Sequence, residues 1–165
     1  MHSNLLELAR ENSAEARGAL MLGLTDCLIN SIDKRSNAEL EMFGEVALLL
    51  YRSTPGTDRM PLSRKVPTQP RTPLPLVLEL ASDQIHIALP VLEHFSAFKD
   101  ENLLTLARKL GDEHLQVLAR RKDLDYTVSD TLVRRGTKHV HRILAGNREI
   151  RLSDIALKAL VRHAV

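Results

Sequence analysis

The string LELASDQIHIALPVLEHFSAF at residues 78–98 returns as LTLARKLGDEHLQVLARRKDL at 104–124 and as DTLVRRGTKHVHRILAGNREI at 130–150. The rows lie 26 residues apart. Leu80-Ala81 aligns with Leu106-Ala107 and Leu132-Val133, Val91-Leu92 with Val117-Leu118 and Ile143-Leu144, and Phe98 with Leu124 and Ile150. Leu160-Val161 marks a partial fourth row, 28 residues after Leu132. A fixed period of about 20–50 residues is the signature of stacked repeats. Each row reads as a helical hairpin whose apolar stripes cannot be buried alone. Stacking the next hairpin on it buries them, which predicts an all-α, HEAT-like α-solenoid. The row is shorter than a HEAT repeat of roughly 40–47 residues, so the helices should be short.

Helices are expected near 73–81, 84–94, 100–110, 112–121, 127–135, 138–145 and 153–163. Pro73 suits a first helical position, and Pro90 should kink or split the helix that holds it. Asp100, Asp112 and Ser153 are candidate N-caps. Gly111, Gly136 and Gly146 stand where a residue after a helix often needs positive φ.

Upstream, Leu5, Leu8 and Ala9 form a short amphipathic stripe over Asn4–Glu11. Ser13 can cap a helix reaching about Asp33, with Ala16, Leu20, Leu24, Cys27, Leu28 and Ile32 on one face. Ser36 and Glu39 form a capping box. The helix it opens carries Leu40, Phe43, Val46, Ala47 and Leu50, with Met42, Leu48 and Leu49 widening the face. Residues 1–52 thus give an N-terminal helix pair with surplus apolar surface. Docking on the repeats or a homodimer through these helices would cover it. Residues 53–72 hold Pro55, Pro61, Pro67 and Pro70, and read as a proline-rich connector with at most one short helix, around Leu62–Val66. Residues 73–165 are the repeat region, packed as one domain with the N-terminal helices.

Composition narrows the function classes. Aromatics make up 3% of the 165 residues and Trp is absent, so the core must be aliphatic. The single Cys27 cannot form an intramolecular disulfide or a thiolate zinc cluster, and reads as a buried small hydrophobe in a reducing compartment. Met1-His2-Ser3-Asn4 lacks a basic n-region and an apolar h-region, so no signal peptide is expected. The longest apolar run, Val46 to Tyr51, falls far short of the roughly 20 residues of a membrane span. Net charge is +2 but uneven: residues 1–50 carry four basic and eight acidic side chains, residues 101–165 thirteen and eight. Such asymmetry points to different partners for the two ends.

No phosphate-binding loop, dinucleotide fingerprint or nucleophile elbow is present. His139 and His141 fall on different helix faces, and His86 and His94 are separated by Pro90, so no metal clamp forms at helical spacing. The carboxylates Glu79, Asp83, Glu93, Asp112 and Glu113 read as caps and complements of the helix dipole. The reading is therefore non-enzymatic, with no cofactor and no metal.

Basic residues are the more distinctive set. Arg120-Arg121-Lys122 and Arg134-Arg135 recur near helix ends, joined by Lys138, Arg142, Arg148, Arg151 and Arg162. In a solenoid such recurrence lines charges into a ridge. Arg120, Arg121, Arg135, His139 and Arg142 are the candidate partner-binding residues. Asp123, Asp125, Asp130 and Glu149 dilute the ridge, and aromatics for base stacking are lacking, which favours a protein partner over nucleic acid.

Several blocks resemble a known family. Leu5-Leu6-Glu7-Leu8-Ala9-Arg10 with Ser13-Ala14-Glu15-Ala16-Arg17 is similar to the opening of the bacterial family called domain of unknown function 2336. Leu78–Ile85 with Pro90-Val91-Leu92-Glu93 resembles its middle block. Asp112-Glu113-His114-Leu115, Leu118–Arg121, Val128-Ser129-Asp130, Leu132-Val133, Arg135-Gly136 and Asn147 resemble the rest. The insert at 53–72 departs from the pattern. The resemblance implies HEAT-like helices and an alphaproteobacterial, cytoplasmic protein, and implies no chemistry. The expected function is a helical-repeat protein-interaction module with a regulatory or signalling role. The alternative is a nucleic-acid-binding protein, like helical-repeat DNA glycosylases at the level of fold, with Tyr126, Asp125 and Asp130 as its one acidic–aromatic group. A small-molecule sensor is a third reading.

Overall fold

The computed structural model describes residues 13–164. The described residues are all-helical, with ten α-helices and no strand. In chain order they are α1 (Ala14–Ser31), α2 (Asn37–Ser53), α3 (Gly56–Lys65), α4 (Leu74–Ala81), α5 (Ile85–His94), α6 (Asp100–Lys109), α7 (Asp112–Leu118), α8 (Tyr126–Arg135), α9 (Lys138–Gly146) and α10 (Asp154–Ala164). The 26-residue period is visible in their starts: α4, α6 and α8 begin at 74, 100 and 126. The amphipathic stripe expected over Asn4–Glu11 lies outside the described residues.

The chain forms two compact units, Met1–Ser96 and Ala97–Val165. In the first, α1 packs on α2 and α3, α2 on α4, and α5 on both α3 and α4. Ser13 caps α1 by accepting from Ala16 N at 3.1 Å. Ser36 and Glu39 make the expected reciprocal box on α2. The buried faces are rotated from the expected ones. On α1, Met21 and Thr25 are buried with Ala16, Leu28 and Ile32, whereas Leu24 and Cys27 are half-exposed. Cys27 is therefore not the core residue expected. On α2, Leu40, Gly44, Ala47 and Tyr51 face inward, and Met42, Val46 and Leu49 face out. Small residues decide this. A β-carbon on Gly44 would stand 2.5 Å from the Pro73 ring, so α2 meets the start of α4 through its bare backbone. Burying that narrow face leaves the larger side chains outside.

Residues 53–72 are more ordered in pattern than a connector. They contain the ten-residue α3, with Pro61 inside it, and a 3₁₀ turn at Val66–Thr68. Leu62, Ser63 and Val66 are fully buried, and the Ser63 hydroxyl donates to Ile87 O at 2.5 Å. Pro61 costs one helical donor, and tertiary burial outweighs that loss. Pro90 likewise sits within a continuous α5. Two basic residues of this stretch are tied to α1 and the segment after it: Arg71 donates to Ile32 O at 2.6 Å and Arg35 O at 2.9 Å, and Lys65 pairs with Asp26 at 2.5 Å.

In the second unit, α6 packs on α8 and α8 on α10, while α7 packs on α9. Within rows, α6 meets α7 and α8 meets α9, and between rows α9 meets α10. The repeated apolar pairs are the core: Leu106, Ala107, Val117, Leu118, Leu132, Val133 and Leu144 are all buried. Ser153 caps α10, accepting from Ala156 N at 3.2 Å. Asp100 and Asp112 each fall one residue inside their helices, after Lys99 and Gly111. No described glycine has positive φ. Gly136 is extended at φ −75°, and it is needed for space instead: a β-carbon there would lie 2.5 Å from the Val140 side chain.

Candidate partner-binding surface

The C-terminal unit holds its rows together with polar ties that run from one row to the previous one. Arg135 donates to Ala107 O at 2.6 Å and to Leu110 O at 3.2 Å, satisfying carbonyls at the end of α6. Asn147 Nδ2 donates to Ala119 O at 3.0 Å and Arg121 O at 2.7 Å, doing the same after α7. Thr137 donates to the Asp112 carboxylate through its N–H at 3.0 Å and its hydroxyl at 3.1 Å. Ser153 N donates to Asp130 Oδ1 at 3.1 Å. Burial opposes ionisation of Asp112, but bonds from Gln116 and Thr137 prevail and hold its carboxyl below the usual range.

These ties divide the five candidate residues. Arg121 is buried, with its guanidinium 2.5 Å from Asp123 Oδ2 and 5.6 Å from the centre of the Phe98 ring. Burial raises the Asp123 carboxyl, and the Arg121 hydrogen bonds and charge overcome that and lower it. Arg121 therefore braces the loop after α7 and cannot be offered to a partner. Arg135 is committed to the carbonyls of α6. Arg120, His139 and Arg142 are exposed.

Arg120 lines an open hollow of about 400 Å³ together with Lys122, Ile143, Gly146, Asn147, Arg148 and Glu149. The hollow thus brings Arg120 together with Lys122 and Arg148, and does not include Arg135, His139 or Arg142. Three cations and one carboxylate make its rim net positive. The Asn147 bonds to the segment after α7 fix that rim, because they tie the strand of chain carrying Arg148 to the one carrying Arg120 and Lys122. Sequence reading singled out the doublet Arg120-Arg121 as a unit. Neighbours in a tight turn point opposite ways, so one became core and the other surface. Lys122 and Arg148 were legible as basic residues near helix ends, but nothing in their spacing showed that they converge.

A polar cluster in the N-terminal unit joins Tyr51, Arg59 and Asp83. Tyr51 Oη donates to Asp83 Oδ2, Arg59 donates to the same oxygen at 2.9 Å, and the Arg59 guanidinium lies 4.6 Å from the Tyr51 ring centre. Burial and the Asp83 charge push the Tyr51 phenol strongly upward. This phenol stays neutral and ties α2 to the turn before α5. Among the described residues, no three His, Cys, Asp or Glu side chains are placed to share a metal ion. Among the same residues, no helix is long and apolar enough to cross a membrane.

No curated protein and no solved structure matches the chain. Residues 87–165, just under half of the chain, match the model of the family described as "Uncharacterised protein conserved in bacteria (DUF2336)".

Proposed function

We propose that the protein is a non-enzymatic helical-repeat module of the bacterial cytoplasm that binds an acidic segment of a protein partner, in a regulatory or signalling role. The observation that carries the reading is the convergence of Arg120, Lys122 and Arg148 on one open hollow. Guanidinium and ammonium groups on a shallow rim suit extended carboxylate-bearing chain, since Arg forms paired bonds to carboxylates. A HEAT-like solenoid is the architecture this reading assumes. It is supported by the packing of α6 on α8 on α10, and of α7 on α9, within the C-terminal unit.

The test is fluorescence anisotropy with a labelled Glu-rich peptide and, separately, a single-stranded oligonucleotide of equal charge. The expected result is peptide binding that falls at least tenfold in the Arg120→Glu, Arg148→Glu variant, with its thermal melt unchanged. Binding of the oligonucleotide alone would replace the reading with a nucleic-acid one. Binding of neither would overturn both.

A further inference from the structure

Among the described residues, an apolar stripe faces solvent in each unit. On α2, Met42 is 68% exposed, Val46 44% and Leu49 70%. They follow i, i+4, i+7 spacing and so lie along one line of the helix. Beside them a groove of about 420 Å³ runs between α1 and α2, lined by Leu24, Cys27, Leu28 and Phe43 as well as Met42 and Val46, with the Arg35–Glu39 ion pair on its wall. On α10, Leu157 is 53% exposed and Val161 61%.

The repeat register shows what is unusual about α10. Leu157 stands where earlier rows have Ser129 and Leu103, and Val161 where they have Val133 and Ala107. Those four residues are buried, and α6 and α8 each have the next row's first helix packed against them. The α10 stripe is thus the face on which another helix belongs. The groove beside α2 is continuous with the α2 stripe, since Met42 and Val46 belong to both.

Charge selects the pairing. Of the carboxylates on residues 37–49 of α2, Glu39 is paired with Arg35 at 3.1 Å, which leaves Glu41 and Glu45 with no basic residue in that span, whereas Lys158 and Arg162 flank the α10 stripe, against the single Asp154. Stripe against like stripe would place carboxylates near carboxylates, or cations near cations, and like charges at a contact oppose it. Stripe against unlike stripe matches both apolar surface and charge. We infer that α10 of one copy docks in the α1–α2 groove of a second copy, a head-to-tail contact. Such a contact is heterologous, so it propagates into larger assemblies unless rotation closes it.

Analytical ultracentrifugation of the full chain tests this, using two double variants. Leu157→Glu with Val161→Glu removes the tail. Met42→Glu with Leu49→Glu removes the groove. All four positions are exposed, and circular dichroism melts check that both variants fold. The wild-type mass should rise with concentration above 18.5 kDa, and each variant alone should stay monomeric. An equimolar mixture of the two variants should recover a 1:1 dimer and nothing larger, because one supplies an intact groove and the other an intact tail. Lys158→Glu with Arg162→Glu should weaken association, and Glu45→Lys on the partner copy should restore part of it. A wild-type chain that remains at the monomer mass would overturn the inference. So would two variants that fail to pair when mixed. Neither outcome depends on the acidic-peptide hollow.

Discussion

The Arg135 guanidinium sits 2.6 Å from the carbonyl oxygen of Ala107, 28 residues earlier and at the end of the equivalent helix one row back. A side chain that recurs beside a helix end is therefore used to finish the helix of the preceding row. Replacing Arg135 with Ala should cost about 1–3 kcal/mol, the scale of a hydrogen bond from a charged donor. Lysine should recover part of that, since one ammonium cannot reproduce the guanidinium fork. Urea unfolding measures the loss, and acidic-peptide affinity should be unaffected by either change.

Asn147 performs the matching task after α7. Asn147→Ala should destabilise by about 1–2 kcal/mol by leaving the carbonyls of Ala119 and Arg121 without that donor. Asn147→Asp should cost more, because a carboxylate would face two carbonyl oxygens. Both variants should also weaken peptide binding, since the same bonds fix the rim that carries Arg148. A melt combined with the anisotropy assay separates this from Arg135, whose loss affects the melt alone.

Gly44 offers a case in which helix propensity gives the wrong sign. Glycine to alanine in a helix interior ordinarily stabilises by roughly 0.5–1 kcal/mol. Here the added β-carbon would lie 2.5 Å from Cβ of Pro73, a rigid ring that cannot rotate away. Gly44→Ala should therefore destabilise by about 1–3 kcal/mol, the usual scale of overpacking. A lowered thermal midpoint with unchanged helicity is the expected readout.

Stability should fall at both ends of the pH scale. Burial opposes the charge on Asp83, but bonds from Tyr51, Gln84 and Arg59 outweigh it and lower its pKa, and Asp112 and Asp123 are lowered as well. A lowered carboxyl stabilises the fold fully above its unfolded pKa of about 3.9, and that contribution disappears as pH falls through the folded value. Tyr51 is raised, so its contribution is full below about pH 10 and is lost as pH rises toward the folded value. Asp83→Asn should flatten the acid limb and Tyr51→Phe the alkaline limb, each at some cost at neutral pH. Urea midpoints measured from acid to alkaline pH check both.

Much of the architecture follows from sequence alone. The 26-residue recurrence of Leu-Ala and Val-Leu pairs marked most of the side chains that the C-terminal core uses, Leu106, Ala107, Val117, Leu118, Leu132, Val133 and Leu144, whereas Ile143 is half-buried and Val161 exposed. Local caps were equally legible at Ser13, Ser36 and Ser153, since capping needs only neighbours within one turn. Features that depend on distant contacts were not. Gly44 against Pro73 turned α2 so that Met42, Val46 and Leu49 face outward, and buried Leu62 and Val66 drew a proline-rich stretch into the N-terminal unit. Arg120 and Arg121 are adjacent and chemically alike, yet one lines a hollow and the other is buried against Phe98 and Asp123. Sequence fixes the helical period because hydrophobic burial repeats with it. Which cations remain for a partner depends on the carbonyls and carboxylates that packing places within their reach.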